Sequence, residues 1–465
     1  VDVTAGALCF ASARELAKQI RSRQVSCREV MTAFLAQIAR LNPRLNAIVA
    51  KLDDDQCLAL ADKADRAFSD GGPIGPLHGL PIAFKDLEPA VGFPQTKGSP
   101  IFRNFLPDAD SVLVERIRRA GAIPIGKTNV PEFGMGSQTY NTVYGTTLNP
   151  YDPTKTAGGS SGGAAVAVAT GMLPIADGGD LGGSLRNPAN FNNIVALRPS
   201  PGLVPVEPIQ FHNWGLSTKG ILARSIDDLS YGLGSVANQF TSQLLAGVVG
   251  GIARGSRVAW CPDLGGLPLD SRVRRIVEGH RKTFEDLGCV VEDACPDFGN
   301  VDEIFMTMRR WASWNTYKDL LERHRDQLKP EAIWEIEAGS RLNAGMVEKA
   351  VIAFQQLHER LLSFQTRYEF LVCAVNQVPP FDQSEHWPTT IDGVRMETYI
   401  SWMKSTYWIS ATLCPAMSVP AGFTDAGLPV GIQIVGGVGQ DLNVLSVGHA
   451  FEQATGFGKR RPPGV

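Results

Sequence analysis

The sequence predicts an α/β fold in which a mixed central β-sheet is surrounded by α-helices. Capped amphipathic segments alternate with short apolar runs along the chain, no composition shift interrupts them, and 465 residues of which 44% are hydrophobic suffice for a large core. The whole chain, 1–465, therefore reads as one unit, with 1–65 as a helical lead-in. Residues 255–405 are the one candidate insertion, placed to wall a substrate pocket. No repeat, low-complexity tract or linker suggests another cut.

Residues 11–65 carry paired amphipathic helices. The second opens at Ser26-Cys27-Arg28-Glu29, a capping-box pattern, and runs to Leu41. A buried strand, Ile82-Ala83-Phe84, then ends on Lys85-Asp86. Ser111 caps a helix over 111–121 that feeds a strand from Ala122 to Ile125, and the glycine-rich, polar segment Glu132 to Gly145 reads as loop. Further on, Ile194 to Pro199 is a strand entering a turn and Ser225 caps a helix. Residues 270–288 and 344–368 have long amphipathic patterns, with strands at Val258–Cys261 and from Val290. A hairpin of 415–420 with 428–436 leads into a closing helix at Leu442–Glu452.

Charge and cysteine usage exclude several classes of function. Forty-four Lys and Arg against 47 Asp and Glu leave a formal net charge of −3, which offers no electrostatic footprint for nucleic acid or an anionic membrane. The eight cysteines are scattered, without Cys-x2-Cys or His-spaced clusters, and read as reduced, buried thiols rather than metal ligands. No apolar run approaches the ~20 residues of a membrane helix, and no basic start precedes an apolar segment. The expectation is a soluble, cytoplasmic protein with a small-molecule partner and no metal or organic cofactor. A homodimer is one assembly that this expectation admits.

Chemistry concentrates in residues 156–188. Two glycine-framed serines, Ser160 and Ser184, bracket a stretch of small residues, Gly162 to Met172, that reads as a short buried helix. Ser160 thus sits at a helix N-terminus, and Gly182-Gly183-Ser184 repeats the glycine framing 24 residues later. Glycines let the backbone approach a ligand closely and turn N–H groups toward one point, which suits a developing negative charge. Each serine is a candidate nucleophile.

Two familiar patterns need structural context. Gly121 to Thr128 matches a phosphate-binding P-loop letter for letter, but a helix precedes it and its interior is apolar and strand-like, so nucleotide binding is rejected. Gly159-Ser160-Ser161-Gly162-Gly163 fits the Gly-x-Ser-x-Gly nucleophile elbow around Ser161. An elbow needs a preceding strand, which prolines 150 and 153 oppose, and a catalytic histidine, which none of His212, His280, His324, His358, His386 or His449 is marked to be. A Ser-His-Asp esterase remains a rival. An uncharged lysine can also activate a serine, and Lys85, ending a buried strand, is a candidate; its ordinary alternative is a salt bridge to Asp86 or another carboxylate.

Nearly the whole chain resembles the amidase signature family. The likeness rests on Gly79-Leu-Pro-Ile-Ala-Phe-Lys85-Asp86, Gly126-Lys-Thr-Asn-Val-Pro-Glu-Phe133, Ala157-Gly-Gly-Ser160-Ser-Gly-Gly, Asp180-Leu-Gly-Gly-Ser184-Leu-Arg-Asn-Pro-Ala189 and the late Ser418-Val-Pro-Ala-Gly-Phe with Gly427 to Gly436. The family's spacing from lysine to first to second serine reappears as 75 and 24 residues. The resemblance implies the amidase signature fold and hydrolysis of an amide, aryl amide or carbamate C–N bond through an acyl-enzyme. Ser184 would be the nucleophile, Ser160, after a cis peptide, the bridging serine and Lys85 the base. Backbone N–H groups of Leu181, Gly182, Gly183 and Ser184 would form the oxyanion hole, and Gly134, Met135 and Ser160 would contact substrate. Asp180, Arg186 and Ser161 would support them.

The chain departs from the family at Leu181 and Leu185, where threonine and isoleucine are usual, and at Leu371 to Pro380, which replaces a threonine-proline-rich turn. The family also admits a rival, the amidase subunit of a glutamine-dependent tRNA amidotransferase. The pocket wall is expected from 135–145, 205–216 and 305–405, with Tyr140, Tyr144, Phe211, Trp214, Trp311, Trp314 and Trp387 as its aromatic candidates.

Overall fold

The computed structural model describes residues 3–72, 74–206, 214–248 and 255–465. Its centre is an eight-stranded mixed sheet. In spatial order the strands are Val290–Asp293, Arg257–Trp260, Phe370–Ala374, Pro429–Val435, Ala416–Phe423, Val195–Arg198, Thr218–Ala223 and Ile175–Asp180. The first three run parallel and the remaining pairings are antiparallel. Apolar runs such as Val-Ala-Leu and Ile-Gln-Ile-Val are buried along their whole length, which is how a sheet covered on both faces reads in sequence.

A second sheet of three strands places Pro81–Lys85 parallel to Ile123–Thr128 and antiparallel Ile48–Val49 on the latter's other side. Pro81–Lys85 packs against Ile175–Asp180, so the end of one sheet meets the edge of the other. The site forms at that junction.

Local chemistry explains the helical elements. Ser26 and Glu29 close a reciprocal capping box on the helix Cys27–Leu45, which carries Pro43 in its last turn and ends on Asn46 in the left-handed region at φ 52. Ser111 and Ser225 cap Val112–Arg119 and Ile226–Gly234 through their hydroxyls. The helix Gly162–Ala169 is wholly buried. Its small residues are required by contact: a Cβ on Gly163 would lie 2.3 Å from Asn129 N and 2.5 Å from Ala47 O.

Several expectations change. The pattern over 270–288 forms two helices, Ser271–Glu278 and Arg281–Asp286, because His280 between them turns inward, bonding Ala421 O and packing on Phe451 and Phe457. Residues 301–340, given no element from sequence, form Val301–His324 and Pro330–Ser340; apolar side chains face both the core and a cleft, so no single stripe announces the first of these helices. Phe370–Ala374, read as part of a turn replacement, is a central strand. Within Glu132 to Gly145, read as loop, there is a 3₁₀ turn, Glu132–Gly134, and half of a small hairpin, Tyr140–Asn141 with Gly145–Thr146.

All eight cysteines are free and seven are buried. Among the described residues no helix is long and apolar enough to cross a membrane.

Candidate active site

Lys85 ends its strand inside the protein, only 2% exposed. Its backbone N–H donates to Asp177 Oδ1 at 3.0 Å, fixing the strand end against Ile175–Asp180. Its Nζ has three partners: Ser160 Oγ and Ser161 Oγ, both at 2.8 Å, and Gly179 O at 3.4 Å. Burial drives the amine down from 10.5 to about 7; the Lys219 charge pushes the same way, while Asp177, Glu88 and Asp180 oppose it. A neutral amine has two N–H donors and one lone pair, and the three contacts match that inventory if Ser160 donates its hydroxyl proton. The alternative for Lys85, a salt bridge to Asp86 or another carboxylate, is not formed among the described residues; Asp86 accepts from the backbone and hydroxyl of Thr96.

Ser160 follows a cis peptide from Gly159. The loop before it is held by hydroxyls from a neighbouring segment, with Ser137 Oγ donating to Gly159 O at 2.7 Å and Thr139 Oγ1 to Gly158 O at 2.8 Å. Asn187 Nδ2 in turn donates to Ser137 Oγ. Gly134, at φ 70, passes so close that a Cβ would lie 3.3 Å from Ser160 Oγ. Ser161 precedes the helix Gly162–Ala169, and its N–H donates to Ser184 O at 3.2 Å, tying the two serine loops together.

The second loop follows the strand Ile175–Asp180. Asp180 accepts from Gly183 N at 2.8 Å and Leu185 N at 3.2 Å, curling the chain around its carboxylate. Arg186 grips the same carboxylate through Nε at 3.0 Å and a terminal nitrogen at 2.9 Å, and Arg198 donates to Asp180 O at 2.6 Å. Burial alone would raise the Asp180 carboxyl, but the two guanidinium groups and the Gly183 N–H hold it well below the usual carboxylate range. Thr406 Oγ1 donates to Gly182 O at 2.9 Å, fixing that carbonyl.

The N–H groups of Leu181, Gly182 and Ser184 have no acceptor among the described residues, whereas that of Gly183 is committed to Asp180. Ser184, 9% exposed, makes no side-chain hydrogen bond among the described residues. The loop offers a hydroxyl and unspent N–H donors at the floor of a cleft.

That cleft has a volume of about 630 Å³. Lys85, Gly134, Met135, Ser160, Asp180, Leu181, Gly182 and Ser184 line it; Ser161, Gly183 and Arg186 lie behind the lining. The helix Val301–His324 contributes Phe305, Arg309, Ala312, Ser313, Thr316 and Tyr317, a stripe at helical spacing. The expected aromatic wall is different in detail. Tyr140, Tyr144, Trp214, Trp311, Trp314 and Trp387 are not on the lining, where the rings are Phe105, Phe133, Phe305 and Tyr317; Phe211 lies outside the described residues. Met135 serves both the cleft and a small apolar cluster with Phe133, Leu328, Ala332 and Ile336.

Sequence reasoning missed the residues that hold the loops from a distance: Ser137, Thr139, Arg198, Thr406 and Gln433, which accepts from Arg186 at 2.5 Å. It also missed Asp177, whose carboxyl is pushed up to about 7 by burial and by Glu88. A carboxylate in the run Asp177-Gly-Gly-Asp180 was the available signal. None of His280, His324, His358, His386 and His449 lines the cleft, and His212 lies outside the described residues.

A mixed sheet wrapped by helices thus holds a buried lysine and two serine loops against one cleft, and likeness to known amidases makes the protein a hydrolase of C–N bonds. The chain belongs to the Amidase family, whose profile matches residues 29–445. It is 31% identical over 471 residues to an acylamidase of Rhodococcus erythropolis, covering 98% of each chain. Over 489 residues it is 31% identical to a glutamyl-tRNA(Gln) amidotransferase chain from a Cyanothece species, covering 97% of this protein and 100% of that one. Its fold superposes on a bacterial aryl acylamidase of the amidase signature family with a TM-score of 0.89 and 26% identity, covering 97% and 98% of the two chains.

Proposed function

We propose that this amidase hydrolyses a small-molecule amide, aryl amide or carbamate by nucleophilic attack of Ser184, with Ser160 and Lys85 as a proton relay. The observation that carries the reading is the buried amine of Lys85, lowered to about 7 and 2.8 Å from Ser160 Oγ. In its uncharged form Lys85 takes the Ser160 proton, and Ser160 takes that of Ser184 as Ser184 Oγ bonds to the carbonyl carbon. The Ser184 hydroxyl is free to rotate toward Ser160 once substrate is seated, since catalytic hydrogen bonds commonly tighten only in the complex.

The C=O π pair moves onto oxygen, where the N–H groups of Leu181, Gly182 and Ser184 meet it; one such donor is typically worth ~2.7–4 kcal/mol. Gly183, its N–H given to Asp180, shapes this oxyanion hole rather than filling it. The relay then runs backward, protonating the leaving nitrogen as the C–N bond breaks. Water attacks the acyl-enzyme by the same route, and acid is released.

Gly134 and Met135 border the acyl side of the site, while Ser161, Asp180 and Arg186 keep the relay and the loop in place. The test is labelling with a fluorophosphonate, located by peptide mass spectrometry, alongside turnover of p-nitroanilide, amide and carbamate panels. Label on Ser184, lost in Ser184→Ala together with activity and strongly slowed in Lys85→Ala, is expected. Label on another residue, or full activity in Lys85→Ala, would overturn the reading.

A further inference from the structure

Lys219 lies in the strand Thr218–Ala223, directly opposite Gly179 in the antiparallel pairing with Ile175–Asp180. Gly179 has no side chain, and the Lys219 stem crosses the space thus left: a Cβ there would lie 3.6 Å from Lys219 Cδ and 3.8 Å from its Nζ. The ammonium ends in an ion pair with Glu88, three residues beyond Lys85. The carbonyl of the same Gly179 accepts from Lys85 Nζ at 3.4 Å, so both lysine heads lie close to one glycine. Glu88 is held in turn by Ser111 Oγ at 3.0 Å, and Lys127 Nζ donates to its backbone carbonyl. Lys219 and Glu88 both line the cleft.

We propose that Lys219 is a positioning residue for the reaction: the cation it holds at the cleft floor, paired to Glu88, keeps the Lys85 amine in its proton-accepting form. The proposal rests on the reading of Lys85 as the base. The charged groups facing that amine are Asp177 and Asp180 on the adjacent strand, Glu88 on its own segment and Lys219 across the sheet, while Lys127 on the neighbouring strand acts on Asp177 and Glu88. Asp180 is paired with two arginines and Glu88 with Lys219, so removing the Lys219 cation leaves an unpaired Glu88 carboxylate facing Lys85. Without the Lys219 cation, the Glu88 carboxylate would favour a protonated Lys85. Substrate filling the cleft strips water from the pair and strengthens its field.

The test is the pH dependence of kcat/KM in the full-length enzyme. Lys219→Met is expected to move the acidic limb upward by about one pH unit, as loss of a nearby like charge does, with the tenfold loss below the limb shrinking as pH rises. Lys219→Arg should return the limb toward the wild-type position, and Glu88→Gln should move it the opposite way from Lys219→Met. Lys219→Gln takes the same measurement should the methionine variant not fold. A limb that stays in place while activity falls equally at all pH values would overturn the proposal and leave the pair structural. Full activity in Lys85→Ala would instead overturn the reading beneath it.

Discussion

Replacing Lys85 by methionine is expected to raise the stability of the folded protein at neutral and acidic pH while removing its activity. The magnitude follows from the amine's environment: its lowering from 10.5 to about 7 corresponds to about 5 kcal/mol of preference for the uncharged form. Between those two values the unfolded chain holds a proton that the folded one has released, so wild-type stability climbs with pH across that window. Below pH ~7 the amine is charged in both states, and the full cost of burying an ammonium falls on the fold. Methionine removes that cost. Against it, Ser160 Oγ, Ser161 Oγ and Gly179 O lose a partner, at about 1–3 kcal/mol for a buried group left wholly unmade and less for hydroxyls that can rotate toward one another.

The net expectation is a variant more stable than wild type by on the order of 2 kcal/mol at pH 6, with the advantage gone by pH 10. Urea unfolding of both proteins at pH 6, 7.5 and 9 measures it, and amidase turnover should fall by about 10²–10⁴. Parallel stability curves across that range would refute the claim that this lysine is folded in against its charge.

Three other perturbations test the scaffold. Asp180→Asn leaves Arg186 and Arg198 buried without their counter-charge, and thermal denaturation should show a loss of about 3–5 kcal/mol. Gly183→Ala puts a Cβ at φ 124, 2.4 Å from Thr406 Oγ1 and 2.7 Å from Asn187 Nδ2; the displaced loop should lower kcat by about 10²–10³, with KM less affected, in steady-state kinetics. Single alanine replacements of His280, His324, His358, His386 and His449 should each retain activity per folded molecule on amide and ester substrates alike. Abolition by any one of them would restore the Ser-His-Asp alternative.

The parts of the fold legible in sequence are those whose cause is local. Capping serines and apolar runs located Cys27–Leu45, Val112–Arg119 and Val195–Arg198 to within a few residues, because a cap and a buried strand each write a short pattern. The helix Val301–His324 wrote none, since it packs against the core on one side and lends Phe305, Arg309 and Tyr317 to the cleft on another. The same division holds at the site. Ser160 and Ser184 stand in glycine-framed contexts that can be read directly, whereas Lys85 reads only as the end of a buried strand until the family resemblance singles it out. Thr406 and Gln433, more than two hundred residues away, reach the second loop only through the order of strands, which no local pattern specifies.

The two carboxylates of the strand Ile175–Asp180 show why such distant partners matter to the chemistry. Asp177 is pushed up to about 7 by burial and by Glu88, while Asp180 is held far below the ordinary range by Arg186 and Arg198. Both would otherwise stabilise a positive charge on Lys85, since each lies close enough to raise it. The two guanidinium groups paired with Asp180 offset part of that pull, and burial, the largest influence on Lys85, outweighs what remains. Arg198 does this from a strand that contributes no atom to the cleft lining. On this account the arginines that brace the second loop also offset the negative charge that Asp180 presents to Lys85.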